Sequence, residues 1–477
     1  MHRFIYIFFL AGVFTALSQS KTEFILEEMP NDTVFVASLK NHTSVKPALA
    51  STIKFSSNRI RKESGSFGIQ GIADVALFSA NTLTYRAGAG VLLECSPNQK
   101  WYARLSGIQG LTSSTGNLLP QSYLSSSEKN FNTFTDLRGR LSFSPNSIFN
   151  FQAGLDKNFV GEGSRSLFLS DFGKAYPFGM IRTKFWRIEY SVIYQFFREE
   201  TNKGWLSKNG ATHHISFNAA KWLNFGVFES VIFLPKDTML NRGFDAEYLN
   251  PIVFYRPQEY SMGSSDNVLL GASFNARWKE NTFYGQFILD EFFLAEIKAK
   301  SGWWANKYGG QLGIKGRFRK KDIPLFYRIE YNSVRPYTYA HLNSGQNYGN
   351  SGATLAHPMG SNFMEILGEL KGQKGKWNAK LFVSYFLQGL DKNGFSYGSD
   401  VYQPYTNRPY EYGHFIGQGK GNNGLRALVH VGYCLHKATN LHVFIENQLR
   451  YDSAFENYSY IGVLGIRSQL WNDYRNF

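Results

Sequence analysis

The sequence predicts an all-β chain, a transmembrane antiparallel outer-membrane β-barrel of about 18 strands. Three observations carry this expectation. Strand-like runs near ten residues long, the length that crosses a bilayer at a tilt, follow one another from about residue 66 to the end. Short turns alternate with long loops between them. Within the runs, apolar and polar residues alternate with a period of two.

The runs fall at roughly 68–78, 83–94, 100–110, 134–144, 148–158, 178–186, 187–197, 211–219 and 222–233. They continue at 266–277, 281–290, 307–317, 323–332, 361–371, 376–389, 425–436, 440–451 and 457–470. The short connections include SPNQ (96–99), SPNS (144–147), WKEN (278–281), FRKKD (318–322), GQKG (372–375) and HKATN (436–440). Long ones are expected near 111–133, 159–177, 198–210, 234–265, 291–306, 333–360 and 390–424. Outer-membrane barrels have short periplasmic turns and longer outer loops. Counting back from a periplasmic C-terminus puts every long loop outside.

The alternation assigns the faces. In Leu441 to Tyr451, Leu441, Val443, Ile445, Leu449 and Tyr451 share one side, and His442, Phe444, Glu446, Gln448 and Arg450 the other. In Trp377 to Leu387, Leu381 and Val383 oppose Lys380 and Ser384. Charge on the lipid side is costly, so the charged face belongs to the lumen. Trp101, Trp278, Trp377 and Tyr451 suit the aromatic girdles at the two interfaces.

The expected division is a signal peptide at 1–18, a periplasmic segment at 19–65 and the barrel at 66–477. Arg3, the apolar run Phe4 to Leu17 and Ala16-Leu17-Ser18 form the leader and its cleavage site. The last residue, Phe477, is read as a signal for the barrel-insertion machinery. Cys95 and Cys434 lie in separate strand-like runs and are expected as isolated thiols.

The 477 residues carry a net charge of +15, with only 18% charged residues and a mean hydropathy of -0.30. For an exported chain this balance points away from nucleic acid. It points toward anionic lipopolysaccharide in the surrounding outer-membrane lipid, or toward an anionic surface polysaccharide. The faces put Arg138, Arg140, Arg187, Lys315, Arg317, Arg328, Lys380 and Arg450 in the lumen, with Glu189, Glu330 and Glu446. Arg104, Arg277, Asp290, Glu365 and Glu369 join them. These charges either pair to fill a closed barrel or form a basic surface for an acidic polymer.

No catalytic constellation emerges. His213 and His214 are adjacent, so a strand points them to opposite faces and they cannot share a metal. There is no HExxH and no GxSxG, and AGAGVLL (87–93) sits inside a strand rather than opening a helix. Neither enzyme activity nor a cofactor or metal is predicted. The outer loops carry the chemical signature instead. GFSYGSDVYQPYTNRPYEYGHF (394–415) combines aromatic rings with planar polar groups, which suits stacking on sugars. Its candidates are Tyr397, Tyr402, Tyr405, Arg408, Tyr410 and Tyr412. Segments 250–267 and 332–352 have similar composition. Such loops either bind sugar or fold inward as a plug.

The blocks FVGEGSRSLFLSDFGKAYPFGMIRTKF (159–185), NPIVFYRPQEYSMGSSDNVLLG (250–271), DEFF (290–293) and WWANKYGGQLGIKG (303–316) resemble the Wzi-type capsule assembly barrels. So do AHPMGSNFMEI (356–366) and GIRSQLWNDYRNF (465–477), and the likeness extends to RemB-like gliding-motility relatives. It runs from about residue 150 to the end. The resemblance implies a blocked 18-stranded barrel, lectin-like and non-catalytic, that helps attach capsular polysaccharide to the cell surface. Two alternatives remain open: an accessory of gliding motility or protein secretion with protein partners, and a transport porin.

Overall fold

The computed structural model describes residues 42–47, 66–113 apart from 81 and 99, 133–235 apart from 202 and 203, Tyr248, 266–468 apart from 322 and 438, and Tyr474. The predicted leader and Phe477 lie outside the described residues, as does segment 250–265.

Eighteen strands close into one antiparallel barrel. They are β1 (Ser66–Ser79), β2 (Leu83–Asn98), β3 (Trp101–Thr112), β4 (Thr133–Phe143), β5 (Phe149–Asp156), β6 (Tyr176–Phe185), β7 (Ile188–Thr201), β8 (Gly204–Asn218) and β9 (Leu223–Phe233). The second half holds β10 (Asn267–Trp278), β11 (Asn281–Glu291), β12 (Lys307–Lys320), β13 (Ile323–Val334), β14 (Phe363–Lys374), β15 (Trp377–Leu390), β16 (Lys420–His436), β17 (Leu441–Asp452) and β18 (Asn457–Ser468). Every predicted run is one of these strands. Each strand pairs with its chain neighbours, and β1 closes the ring against β18 through Asp74–Ser79.

One connection differs from expectation. Residues 198–210 were assigned to a long loop, yet β7 and β8 continue through them as a hairpin, with Thr201 opposite Gly204. The segment REETNKGWLSKNG is polar on both sides, as suits a ribbon rising above the hydrocarbon. The period-two signal fades there because no face meets lipid.

The assigned faces hold. Leu381, Val383, Val443 and Ile445 point outward and are exposed, whereas Phe382, Ser384, Phe444 and Glu446 are buried inside. Trp101, Trp186, Trp222, Trp278 and Trp377 stand exposed beside the short turns, forming a girdle at the periplasmic rim. A closed barrel of this size with an apolar exterior belongs in the outer membrane of a Gram-negative bacterium.

Among the described residues the main core lies in the lumen. Residues 157–175, after the short β5, turn inward and bring Leu167, Phe168 and Leu169 into the main apolar cluster. Phe168 stacks on Phe228 of β9 at 4.4 Å. Residues 335–362 fold down from the other side and add Tyr339, Tyr348 and Leu355. Tyr337 and Tyr339 sit at φ of 64° and 75°, a left-handed backbone that costs energy and is held by surrounding contacts. Tyr337 donates its hydroxyl to Ser396 O at 2.9 Å, and Tyr339 donates to Leu167 O at 2.8 Å. Residues 42–47, part of the segment expected on the periplasmic side, are inside the barrel. There Val45 and Lys46 pair antiparallel with Val160 and Phe159. Tyr474 enters from the C-terminal end and donates to Asp171 at 2.5 Å.

The two faces give a direct contrast. Val383→Arg should cost about 2–4 kcal/mol in unfolding from lipid vesicles, because it puts charge in hydrocarbon. Ser384→Ala removes only the 2.6 Å hydrogen bond to Glu365 and should cost about 1 kcal/mol. Equal costs would mean the register is slipped by one residue.

Candidate functional site

Many of the described lumen charges are paired, and an inward loop ties several of them together. Arg138 meets Asp136 at 2.6 Å and Arg140 meets Asp156 at 2.9 Å. Glu189 holds Arg182 at 2.6 Å, and Lys315 reaches Glu162 of the inward loop at 2.8 Å. Glu369 receives Arg328 at 3.2 Å and Lys380 at 3.0 Å. Glu330 is fully buried and accepts from the backbone N–H groups of Ser164 and Arg165 at 2.8 and 3.2 Å and from the Tyr284 hydroxyl at 2.8 Å. Arg165 lies 3.7 Å from Glu365, which also takes His357 at 2.9 Å. Nearer the last strands, Glu446 accepts from Gln448 at 2.6 Å, and Arg450 donates to Gln448 at 2.9 Å. Arg317 is half-buried on the inward side of β12.

Arg187 is the exception. It was placed in the lumen by alternation but sits exposed in the turn after β6, with its guanidinium 5.3 Å from the exposed Trp186 ring. Alternation loses its meaning where the chain leaves the sheet. Glu162 and Arg165, which join the inward loop to the wall, were not among the residues singled out. No periodicity marks them, and only their place in the 159–185 block set them apart. Asp136 could have been found, because it shares a face with Arg138 and Arg140 at alternate positions.

A second group of residues forms at the long-loop end. Loops 292–306, 335–362 and 391–419 meet there. The Arg408 guanidinium lies 4.1 Å from the Trp304 ring, Trp304 packs on Tyr405 at 4.5 Å, and the Lys307 ammonium lies 4.9 Å from Tyr405. Arg408 also pairs with the Glu411 carboxylate and donates to Tyr405 O at 2.9 Å. Beside this stack, Tyr397 and Tyr410 lie 6.3 Å apart, and Tyr410 lies on His414 at 4.6 Å. Burial pushes the His414 imidazole below its ordinary value, so the ring is neutral at pH 7. Tyr410, Tyr412 and Phe415 are exposed.

Of the six loop candidates, Tyr405 and Arg408 share one stack, Tyr397 and Tyr410 another, and Tyr412 stands outward. Tyr402 turns in. It packs against the lumen cluster, donates to Glu199 at 2.9 Å and accepts from Gly352 N at 3.1 Å. It fastens the loop to the barrel. Trp303 and Trp304 were not singled out as site residues, although a tandem Trp pair in a long loop was a visible signal. The aromatic loop 332–352 is largely committed to the plug, with Tyr337, Tyr339 and Tyr348 fully buried. The arrangement places flat rings and planar donors together at the long-loop end.

Two outcomes test this construction. Glu330→Ala strips the acceptor from two loop amides and a tyrosine and should cost about 3–5 kcal/mol in urea unfolding. Exposed Glu411→Ala should change stability by under about 0.5 kcal/mol. The second test concerns pH. Burial and the nearby Lys307 hold His341 down at about 4. The closed loop therefore binds that proton near pH 4 and an opened loop near pH 6.5. Loop closure should weaken as pH falls from 6.5 to about 4 and be unaffected by this group above that window. Deuterium uptake around 341–347, corrected for intrinsic exchange, should rise by up to about tenfold per pH unit there and stay flat in His341→Gln.

No family model matches the chain, and no curated protein matches it in sequence. Solved structures do share its shape. Wzi, an outer-membrane carbohydrate-binding β-barrel involved in group 1 capsule assembly in Escherichia coli, is 12% identical, with a TM-score of 0.58 over 93% of this chain and 99% of that one. OprD of Pseudomonas aeruginosa is 9% identical over 84% of this chain and 94% of its own, with a TM-score of 0.45. OccAB4 of Acinetobacter baumannii is 6% identical over 86% of this chain and 99% of its own, with a TM-score of 0.47. At such identity the likeness to Wzi is one of fold: a closed, 18-stranded outer-membrane barrel.

Proposed function

We propose that this barrel is a non-catalytic, lectin-like protein that assists assembly or attachment of capsular or related polysaccharide at the cell surface. One observation carries the reading. Inward loops enter the lumen and pair with its charges, while the Trp304–Tyr405–Arg408 stack stays only partly buried and Tyr410, beside Tyr397, is exposed at the long-loop end. A chain built for passage would keep free polar surface along the lumen; the pairing of the described lumen charges with one another and with the inward loop supports the other reading. The blocks that resemble Wzi-type barrels and the carbohydrate binding of the like-folded Wzi support the same reading.

The energetics suit a polymer. A ring stacked on a sugar contributes on the order of 1 kcal/mol, by analogy with other aromatic contacts. A few such contacts give weak binding to one repeat, and a long chain multiplies it through repeated engagement. Arg408 and exposed Lys420 add attraction to an acidic polymer that weakens with salt.

The test leaves the inward-turned Tyr402 untouched, because its loss would unfasten the loop. Tyr410→Ala combined with Tyr412→Ala should lower capsule retained on cells and raise capsule shed into the medium, at unchanged barrel abundance. Unchanged retention would leave the loop as a seal only, and the reading would pass to motility or secretion.

A further inference from the structure

Residues directly opposite one another in an antiparallel ladder share a face. Across β7, β8, β9 and β10, His213 lies opposite both Val192 and Glu229, Ala211 opposite Tyr194 and Val231, and Val231 opposite Val268. The alternate residues of the same strands face the lumen. His214 borders a small interior cavity with Glu162 and Phe168, and Phe228 stacks on Phe168. His213, Ala211, Glu229, Val231 and Phe233 therefore point out of the barrel, where lipid is expected.

These outward residues are nonetheless sealed. Val231 and Phe233 are 0% exposed and Glu229 is 1% exposed, whereas Phe225 and Val227, outward on the same strand, are 47% and 41% exposed. Outward residues on other strands, such as Phe287, Leu312 and Ile366, are also open. The described residue that covers this face is Tyr248, from the connection between β9 and β10. Its ring lies 4.7 Å from Phe233, within a cluster of Ala211, Val231 and Val268. Its hydroxyl donates to Asp266, at the start of β10, at 2.7 Å.

The sealed wall is also polar. The Tyr190 hydroxyl and His213 Nδ1 are 2.6 Å apart, and His213 stands opposite Glu229. Ionisable side chains on a membrane-facing surface are costly against hydrocarbon and mark contact with protein or water.

We propose that the outward wall of β7–β10 is a protein-docking face rather than a lipid face, and that its occupant is this chain's own outer loop, 234–266, anchored by Tyr248. The chain leaves β9 at Leu234 and returns at Asp266 on the adjacent strand, so the loop begins and ends at the rim of this face. Thirteen residues separate Leu234 from Tyr248 and seventeen separate Tyr248 from Asp266. Each arm could extend tens of ångströms at about 3.3 Å per residue, far beyond the reach to Phe233. The surplus is enough chain to screen His213 and Glu229.

The test uses full-length protein in outer-membrane vesicles, with Cys95→Ser and Cys434→Ser as background. Phe233→Cys with Tyr248→Cys should oxidise to an intramolecular cross-link, seen as a non-reducing gel shift. Ile232→Cys with Tyr248→Cys, whose first cysteine faces the lumen, should not. No cross-link in the first pair, or a linked dimer in its place, would overturn the proposal, the dimer indicating a second copy on this face. A readout on unaltered protein guards against failed insertion of the variants. A lipid-phase carbene probe should label Phe225 and Val227 but spare Val231 and Phe233. Equal labelling of all four would overturn the proposal as well.

Discussion

The hydrocarbon core of a membrane holds no water to satisfy a backbone N–H or C=O, so a chain crossing it as strands must close on itself. That constraint shapes everything else in this protein. Eighteen strands close the ring, and among the described residues the seam between β1 and β18 is made by six residue pairs. The shortest junction is internal, with five pairs between β4 and β5. There the strands approach so closely that a Cβ on Gly154 would run into the Gly139 carbonyl, and a residue without a side chain fits that position. β5 is short because its chain is needed elsewhere: directly after Asp156 it turns inward.

Closing a ring of this size creates a second problem. A barrel of 16–18 strands encloses space wide enough for an aqueous channel. Here loop 157–175 enters it, residues 42–47 pair with that loop, and Tyr474 bonds to it from the chain's other end. Buried charges are tolerable only when paired and hydrogen-bonded. Acidic and basic residues of the same or neighbouring strands therefore meet one another, or meet Glu162 and Arg165 on the loop. With the described interior committed in this way, the proposed recognition rests on the outer loops, whose rings and guanidinium group are only partly buried. That division of labour joins the fold to the proposed role at the cell surface.

Most of the wall was legible in the sequence, because lipid on one side and paired charge on the other impose a period of two. Leu441 to Tyr451 and Trp377 to Leu387 read correctly residue by residue. The pattern failed where its physical cause is absent. Around 198–210 the two strands run on through polar sequence as far as Thr201 and from Gly204, and Arg187 lies in a turn. It also could not reveal which way a loop folds. Tyr337, Tyr339 and Tyr402 have the same composition around them as Tyr410 and Tyr412, yet the first three bury their rings and the last two do not. Composition records that a loop is aromatic; only the fold decides whether each ring meets the lumen or the medium. The covered face of β7–β10 was hidden for a similar reason. Val231 and Phe233 look like lipid-facing residues and are apolar for a different neighbour.

The central claim is that the lumen is filled and the protein works at its outer surface. The most direct test is the conductance of purified wild-type protein in planar lipid bilayers. The account predicts insertion without a steady open pore across a wide voltage range. Stable, stepwise, porin-like conductance of the wild-type protein would contradict it.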